Sequence, residues 1–361
     1  MKLYTKNLYT EKVNVFFSYA LLVWVFVFTT KTFFSGFHLS DDQILIYFNN
    51  HLHQQSFFSA AYSEIKSDLF LRFRPLAIFY YLTLAKWPYP DFNIISLIVG
   101  WQGIFSCYFF YRFARDLKCS LAVSFMFPLF LLCGNQGVIF WRNCVNETFA
   151  IFLLSLSFFF LGKLFSTKIN ERWNTILFAL FLLLSTLTKE SFIILVPAVL
   201  FLKIWKEVIN YNGFLFSLKQ NKKLIIFFII IVITEIATIY YYKKHSSIFI
   251  EYVSIDENTF SITNLLTSTI RLWITKGYLI IIIPVITFII FIKKKYTPED
   301  IRSFFLPLAL LFLLITIPQI LLYSKSLIFE RYLLPGTLSS ALAIPFFTSI
   351  YKAQPIHTFF K

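Results

Sequence analysis

Asp41 and Asp42 stand side by side in FSGFHLSDDQILIYFNNH (34–51), directly after an apolar run, in a chain with only 18 acids among 361 residues. Adjacent like charges repel, so the pair needs a reason. Two carboxylates can hold a divalent cation, or the charge on one can raise the proton affinity of the other until it serves as a general base. A simpler purpose is also open. Ser40-Asp41-Asp42-Gln43 fits the S-x-x-Q capping box, with Ser40 as N-cap and Gln43 at the third helical position. Acids in a first turn complement the helix dipole, but one would be enough.

Other charges fall at unusual places. Arg74 precedes Pro75, where polar chain gives way to the apolar stretch LAIFYY. Proline suits a first helical position, and the arginine there either snorkels at an interface or binds an anionic phosphate. Lys189 and Glu190 sit in TLTKESF, between two apolar runs joined too tightly for an ordinary loop. A charge at mid-membrane costs on the order of 3 kcal/mol, so both belong at an interface or in a polar cavity. Adjacent helical residues do not face one another, so a mutual ion pair does not explain them. Glu330, Arg331 and Tyr332 repeat the pattern ahead of Pro335-Gly336, and Arg142 and Glu147 flank another turn. Glu64 and Asp68, at i and i+4, read as a solvated ion-pair stripe continued by Arg72. His51 and His53 do not share a helix face, which disfavours metal ligation.

The elements that position these residues follow from composition. Hydrophobic residues make up 58% and charged residues 14%, with a mean hydropathy of +0.71. Soluble domains hold about 45–50% apolar and about 25% charged residues. Apolar runs of roughly 20 residues recur along the chain, as spans of a roughly 30 Å hydrocarbon layer require. The expectation is an all-α, polytopic transmembrane bundle of roughly ten to eleven hydrophobic segments, forming one domain over 1–361. The run Val13 to Phe34 reads as a retained anchor. Residues 35–73 form a first extracytoplasmic loop with amphipathic interfacial helices, of which QILIYFNNHLHQ is one.

The formal charge of +15 does not point to nucleic acid, because the lysines cluster between apolar runs, as the positive-inside rule predicts for cytoplasmic loops. Placing those clusters inside puts WRNCVNE (141–147), TKE (188–190), the 243–276 loop and FERYLLPG (329–336) outside, with the aspartates. The segment 75–86 then lies as a shallow re-entrant helix, or both it and 92–111 cross. The four cysteines show neither zinc spacing nor a disulfide framework. There is no GxGxxG, Walker loop, HExxH or GxSxG, which leaves a nucleotide site unsupported.

The order DD…RPL…TKE…RYLLPG, all on one face, resembles the GT-C superfamily of membrane glycosyltransferases. The likeness is strongest to bacterial members that decorate surface glycans or glycolipids. The resemblance implies a multi-pass enzyme of the bacterial cytoplasmic membrane with an outward-facing site. Such an enzyme moves a hexosyl or pentosyl unit, with inversion, from a polyprenyl-phosphate donor to a glycan, lipid or protein acceptor. Carried over by position, Asp41 or Asp42 matches the carboxylate that acts as catalytic base or helps hold a metal, a divalent cation being the one cofactor implied. Arg74, Lys189 and Arg331 match the cations that meet the carrier phosphate, supported by Glu190, Glu330 and Tyr332. Many relatives carry a soluble outer domain that this chain lacks. A flippase or transporter of lipid-linked sugars is the rival, kept open by Glu235 in IVITEIATIY; a glycan polymerase would need a larger central outer loop.

Overall fold

A computed structural model describes residues 43–69, 73–132, 145–166, 169–211, 214–245, 261–271 and 306–324, with isolated positions in 15–23, 285–289 and 337–345. The described residues form helices and turns without strand. The helices are α1 (Gln43–Gln54), α2 (Phe57–Asp68), α3 (Pro75–Lys86), α4 (Phe92–Asp116), α5 (Leu121–Leu132), α6 (Val145–Ser166) and α7 (Glu171–Thr188). After a 3₁₀ turn over Glu190–Leu195 follow α8 (Val196–Tyr211), α9 (Phe214–Gln220), α10 (Lys222–His245), α11 (Ile262–Arg271) and α12 (Leu306–Ser324). Among the described residues, α4 and α6 are long and apolar enough to cross a membrane. The expected anchor, Val13 to Phe34, falls largely outside the described residues.

Local chemistry sets the boundaries. The Asp91 carboxylate accepts from the backbone N–H groups of Asn93 and Ile94 and caps α4. At its other end, Cys119 N–H donates to Ala114 O and Lys118 N–H to Arg115 O, a Schellman motif. Lys118 takes the left-handed conformation, φ 61°, that usually falls to glycine. Pro75 opens α3, which ends after 12 residues, about 18 Å of rise. That is short of a roughly 30 Å hydrocarbon layer, so α3 does not cross it alone.

Two cores share the long helix α4. The first joins Leu45 and Phe48 of α1, Ala60 and Ala61 of α2 and the buried face of α3 to Ile95 and Val99. Stacking of Phe48 on Tyr81 and donation from Asn49 Nδ2 to Ala85 O bind α1 to α3. The second core begins at Ile104 and is built on phenylalanine, with Phe110 and Phe113 against Phe127 and Phe158. Aromatic pairs of this kind contribute roughly 0.5–1.5 kcal/mol each beyond burial.

Pairings along the helices fix their directions. Phe109 lies between Phe152 and Phe159, and Asp116 meets Lys163, so α4 and α6 run parallel. Lys189 meets Glu147 while Ser157 Oγ donates to Phe178 O, so α7 returns antiparallel to α6. The alternation expected from lysine loop bias has the same directions. At Gly162 an added Cβ would lie 3.2 Å from Asp116 Cβ and Phe113 Cα, a tight fit that brings α6 close to α4 there.

Candidate functional site

Between the two cores lies a buried polar layer. It sits where α4 passes from Val99 to Ile104, at the start of α6 and the end of α7. Tyr80 of α3 stacks on Phe149, ring centroids 4.1 Å apart, and its phenol oxygen accepts from Gln102 Nε2 at 2.6 Å. Burial pushes the Tyr80 phenol pKa up, and the Gln102 hydrogen bond partly opposes this. The Gln102 Oε1 atom is buried and has no hydrogen-bond partner among the described residues. A substrate hydroxyl or a bound water is the kind of group that would satisfy it.

Lys189 is the centre of this layer. Helix α7 stops at Thr188, Lys189 takes an extended conformation (φ −145°, ψ 114°), and the 3₁₀ turn begins at Glu190. Two helical segments thus meet at one extended residue. Its side chain points inward, is only 2% exposed, and places Nζ 2.9 Å from Glu147 Oε1 in the first turn of α6. An unpaired ammonium there would carry a desolvation penalty of several kcal/mol, which the close carboxylate offsets. Helix α6 also supplies Asn146, whose Oδ1 accepts from Glu147 N–H at 2.9 Å. One turn before Lys189, Thr186 Oγ1 donates to Glu235 Oε1 of α10 at 3.1 Å. Glu235 therefore belongs to the same layer.

A second constellation lies on α2. Arg74 spans the Asp68 carboxylate with two charge-assisted bonds, Nε to Oδ2 at 2.9 Å and Nη2 to Oδ1 at 3.1 Å. One helical turn earlier, Glu64 Oε1 lies 2.8 Å from His51 Nδ1 and accepts from the Tyr47 hydroxyl at 3.0 Å. Burial pushes the Tyr47 phenol pKa up, and the hydrogen bond to Glu64 adds to it. The expected solvated stripe is corrected here. Glu64 is 8% exposed and Asp68 is occupied by Arg74, because α1 and the chain before α3 fold over that face. Helix α3, which Arg74 introduces, packs on both α6 and α7.

Of the residues singled out in the sequence, Arg74 and Lys189 each have a carboxylate partner. Glu190 opens the 3₁₀ turn. Asp41, Asp42, Glu330, Arg331 and Tyr332 lie outside the described residues, as does the Ser40 cap. The structure pairs Glu147, noted in the sequence as flanking a turn, with Lys189, and adds Thr186, Tyr80 and Gln102, which sequence reasoning left unassigned. Tyr80 and Gln102 carry no local signal, since each is an ordinary polar residue inside an apolar helix. The chain matches no protein-family model, no curated protein and no solved structure.

Proposed function

We propose that the chain is a multi-pass membrane glycosyltransferase that moves a sugar, with inversion, from a polyprenyl-phosphate donor to an acceptor on the extracytoplasmic face. The observation that carries this reading is the buried Lys189–Glu147 pair, at the start of α6 and the end of α7, two helices that α3 packs against, with Arg74 leading into α3. A lipid phosphate arriving from the bilayer would meet two cations whose charge is already balanced by carboxylates. It can exchange with Asp68 for the Arg74 fork, since both anions accept two parallel N–H bonds. The leaving phosphate gains charge in the transition state, which pre-positioned cations stabilise. Asp41 and Asp42, next to the start of α1, supply the base or hold a divalent cation.

Membrane residence has its own support. Ile94, Leu97, Trp101 and Phe105 form an exposed stripe down α4, and Ile226, Ile229, Ile230 and Ile233 another on α10. Water-facing surfaces rarely present such contiguous apolar patches. Glu235 is the observation that favours the transporter reading, because a buried acid can carry a proton or meet a polar cargo.

One experiment separates the two readings. In a deletion strain complemented with Asp41→Asn or Asp42→Asn, mass spectrometry of surface glycans should show one sugar missing. The lipid-linked donor should accumulate on the outer leaflet. Donor trapped on the inner leaflet would establish transport instead, and full activity of both variants would remove the aspartates from the site.

A further inference from the structure

Two carboxylates one helical turn apart on α2 each hold a group from a different segment. Glu64 holds His51 of α1, and Asp68 holds Arg74 ahead of α3. Residues at i and i+4 have Cβ atoms about 5–6 Å apart. We infer that His51, oriented by Glu64, accepts the proton of the acceptor hydroxyl, while Arg74, held by Asp68 one helical turn along α2, meets the donor phosphate. The inference rests on the transferase reading and assigns its base, leaving Asp41 and Asp42 to hold a cation.

The geometry fits a carboxylate–imidazole dyad. The 2.8 Å contact to Glu64 Oε1 calls for a proton on Nδ1, so in the neutral imidazole the lone pair lies on Nε2. Gln55 Nε2 also approaches Nδ1, but at 3.5 Å, so the closer, charged acceptor decides the tautomer. The Tyr47 ring lies 4.3 Å from the imidazole, centroid to centroid, while its hydroxyl donates to the same Glu64 oxygen. The ring is thus held from two sides. Its side chain remains 27% exposed, and Nε2 has no hydrogen-bond partner among the described residues. Tying α1 to α2 would require only Nδ1. An immobilised ring with an open Nε2 is what a base requires.

The bond changes balance. The acceptor oxygen attacks the anomeric carbon and its proton passes to His51 Nε2. The bond from that carbon to the phosphate oxygen breaks, and its electron pair leaves on the phosphate, facing Arg74. Attack and departure on opposite faces give inversion. The carboxylates that hold base and cation stand one helical turn apart, a spacing on the scale of one sugar ring. Glu64 touches neither substrate and acts as a positioning residue.

Chemical reactivity tests the dyad without any substrate. Full-length protein in phospholipid nanodiscs is treated with diethyl pyrocarbonate, and acylation is mapped by mass spectrometry. His51 should react faster than His53, and Glu64→Gln should slow His51 about tenfold while leaving His53 unchanged. Equal reactivity of the two histidines in the native protein overturns the inference. In the complemented deletion strain, His51→Gln should lower glycan product by about 100-fold or more at normal protein level, while His53→Gln should restore it fully. If deletion removes a sugar and His51→Gln restores it, only the His51 assignment falls. If deletion leaves every surface glycan unchanged, the transferase reading falls and takes the assigned base with it.

Discussion

At the scale of single residues, Lys189 has the largest energetic consequence. It is among the largest fully buried side chains and lies against Glu147. Lys189→Ala leaves a buried carboxylate without its nearest cation, and should destabilise the fold by about 3–5 kcal/mol. The double variant Lys189→Met/Glu147→Leu should recover most of that loss while remaining inactive. Thermal unfolding in detergent, read together with glycan product, checks both. Recovery of activity along with stability would reduce Lys189 to a structural role. Lys118 makes a prediction of opposite sign. Its left-handed backbone (φ 61°) disfavours any side chain, so Lys118→Gly should stabilise by about 1 kcal/mol, seen as a higher unfolding temperature with unchanged activity.

At the scale of elements, the contact between α4 and α6 depends on the missing side chain of Gly162. Three heavy atoms, one of them backbone, lie 3.2 Å from where its Cβ would be. Gly162→Val should push the helices apart and loosen the neighbouring Lys163–Asp116 pair. A loss of about 1–3 kcal/mol is expected, measurable by thermal unfolding; an unchanged midpoint would show that the helices do not approach so closely. Helix α2 is the other element with more than a packing role. Its carboxylates grip α1 and the start of α3 together, so His51 and Arg74 are positioned by one rigid rod.

At the scale of the whole molecule, α4 connects the two cores, and the polar layer lies between them. The parallel course of α4 and α6 places Lys189–Glu147 at one end of the second core and Lys163–Asp116 at the other. This polarity predicts sidedness. In a cysteine-free background, Phe58→Cys on exposed α2 should react with an impermeant maleimide from outside intact cells. Ile169→Cys, also exposed, should react only after the membrane is opened. Labelling of both from the same side would break the topology on which the site depends.

The sequence by itself determined the helical class, because hydrophobic periodicity and length are local properties. It also marked Arg74 and Lys189, since a charge beside apolar chain is conspicuous wherever the chain folds. The directions expected for α4, α6 and α7 from lysine clusters between runs agree with those their pairings give. Only the tertiary structure decided the partners. That Lys189 meets Glu147, 42 positions earlier by their numbers, depends on α6 and α7 lying antiparallel. Glu64 and Asp68 looked solvated because spacing along α2 reveals which residues share a face, not which segment covers it. Ion pairing between elements depends on distances of a few ångströms, and those are set by packing.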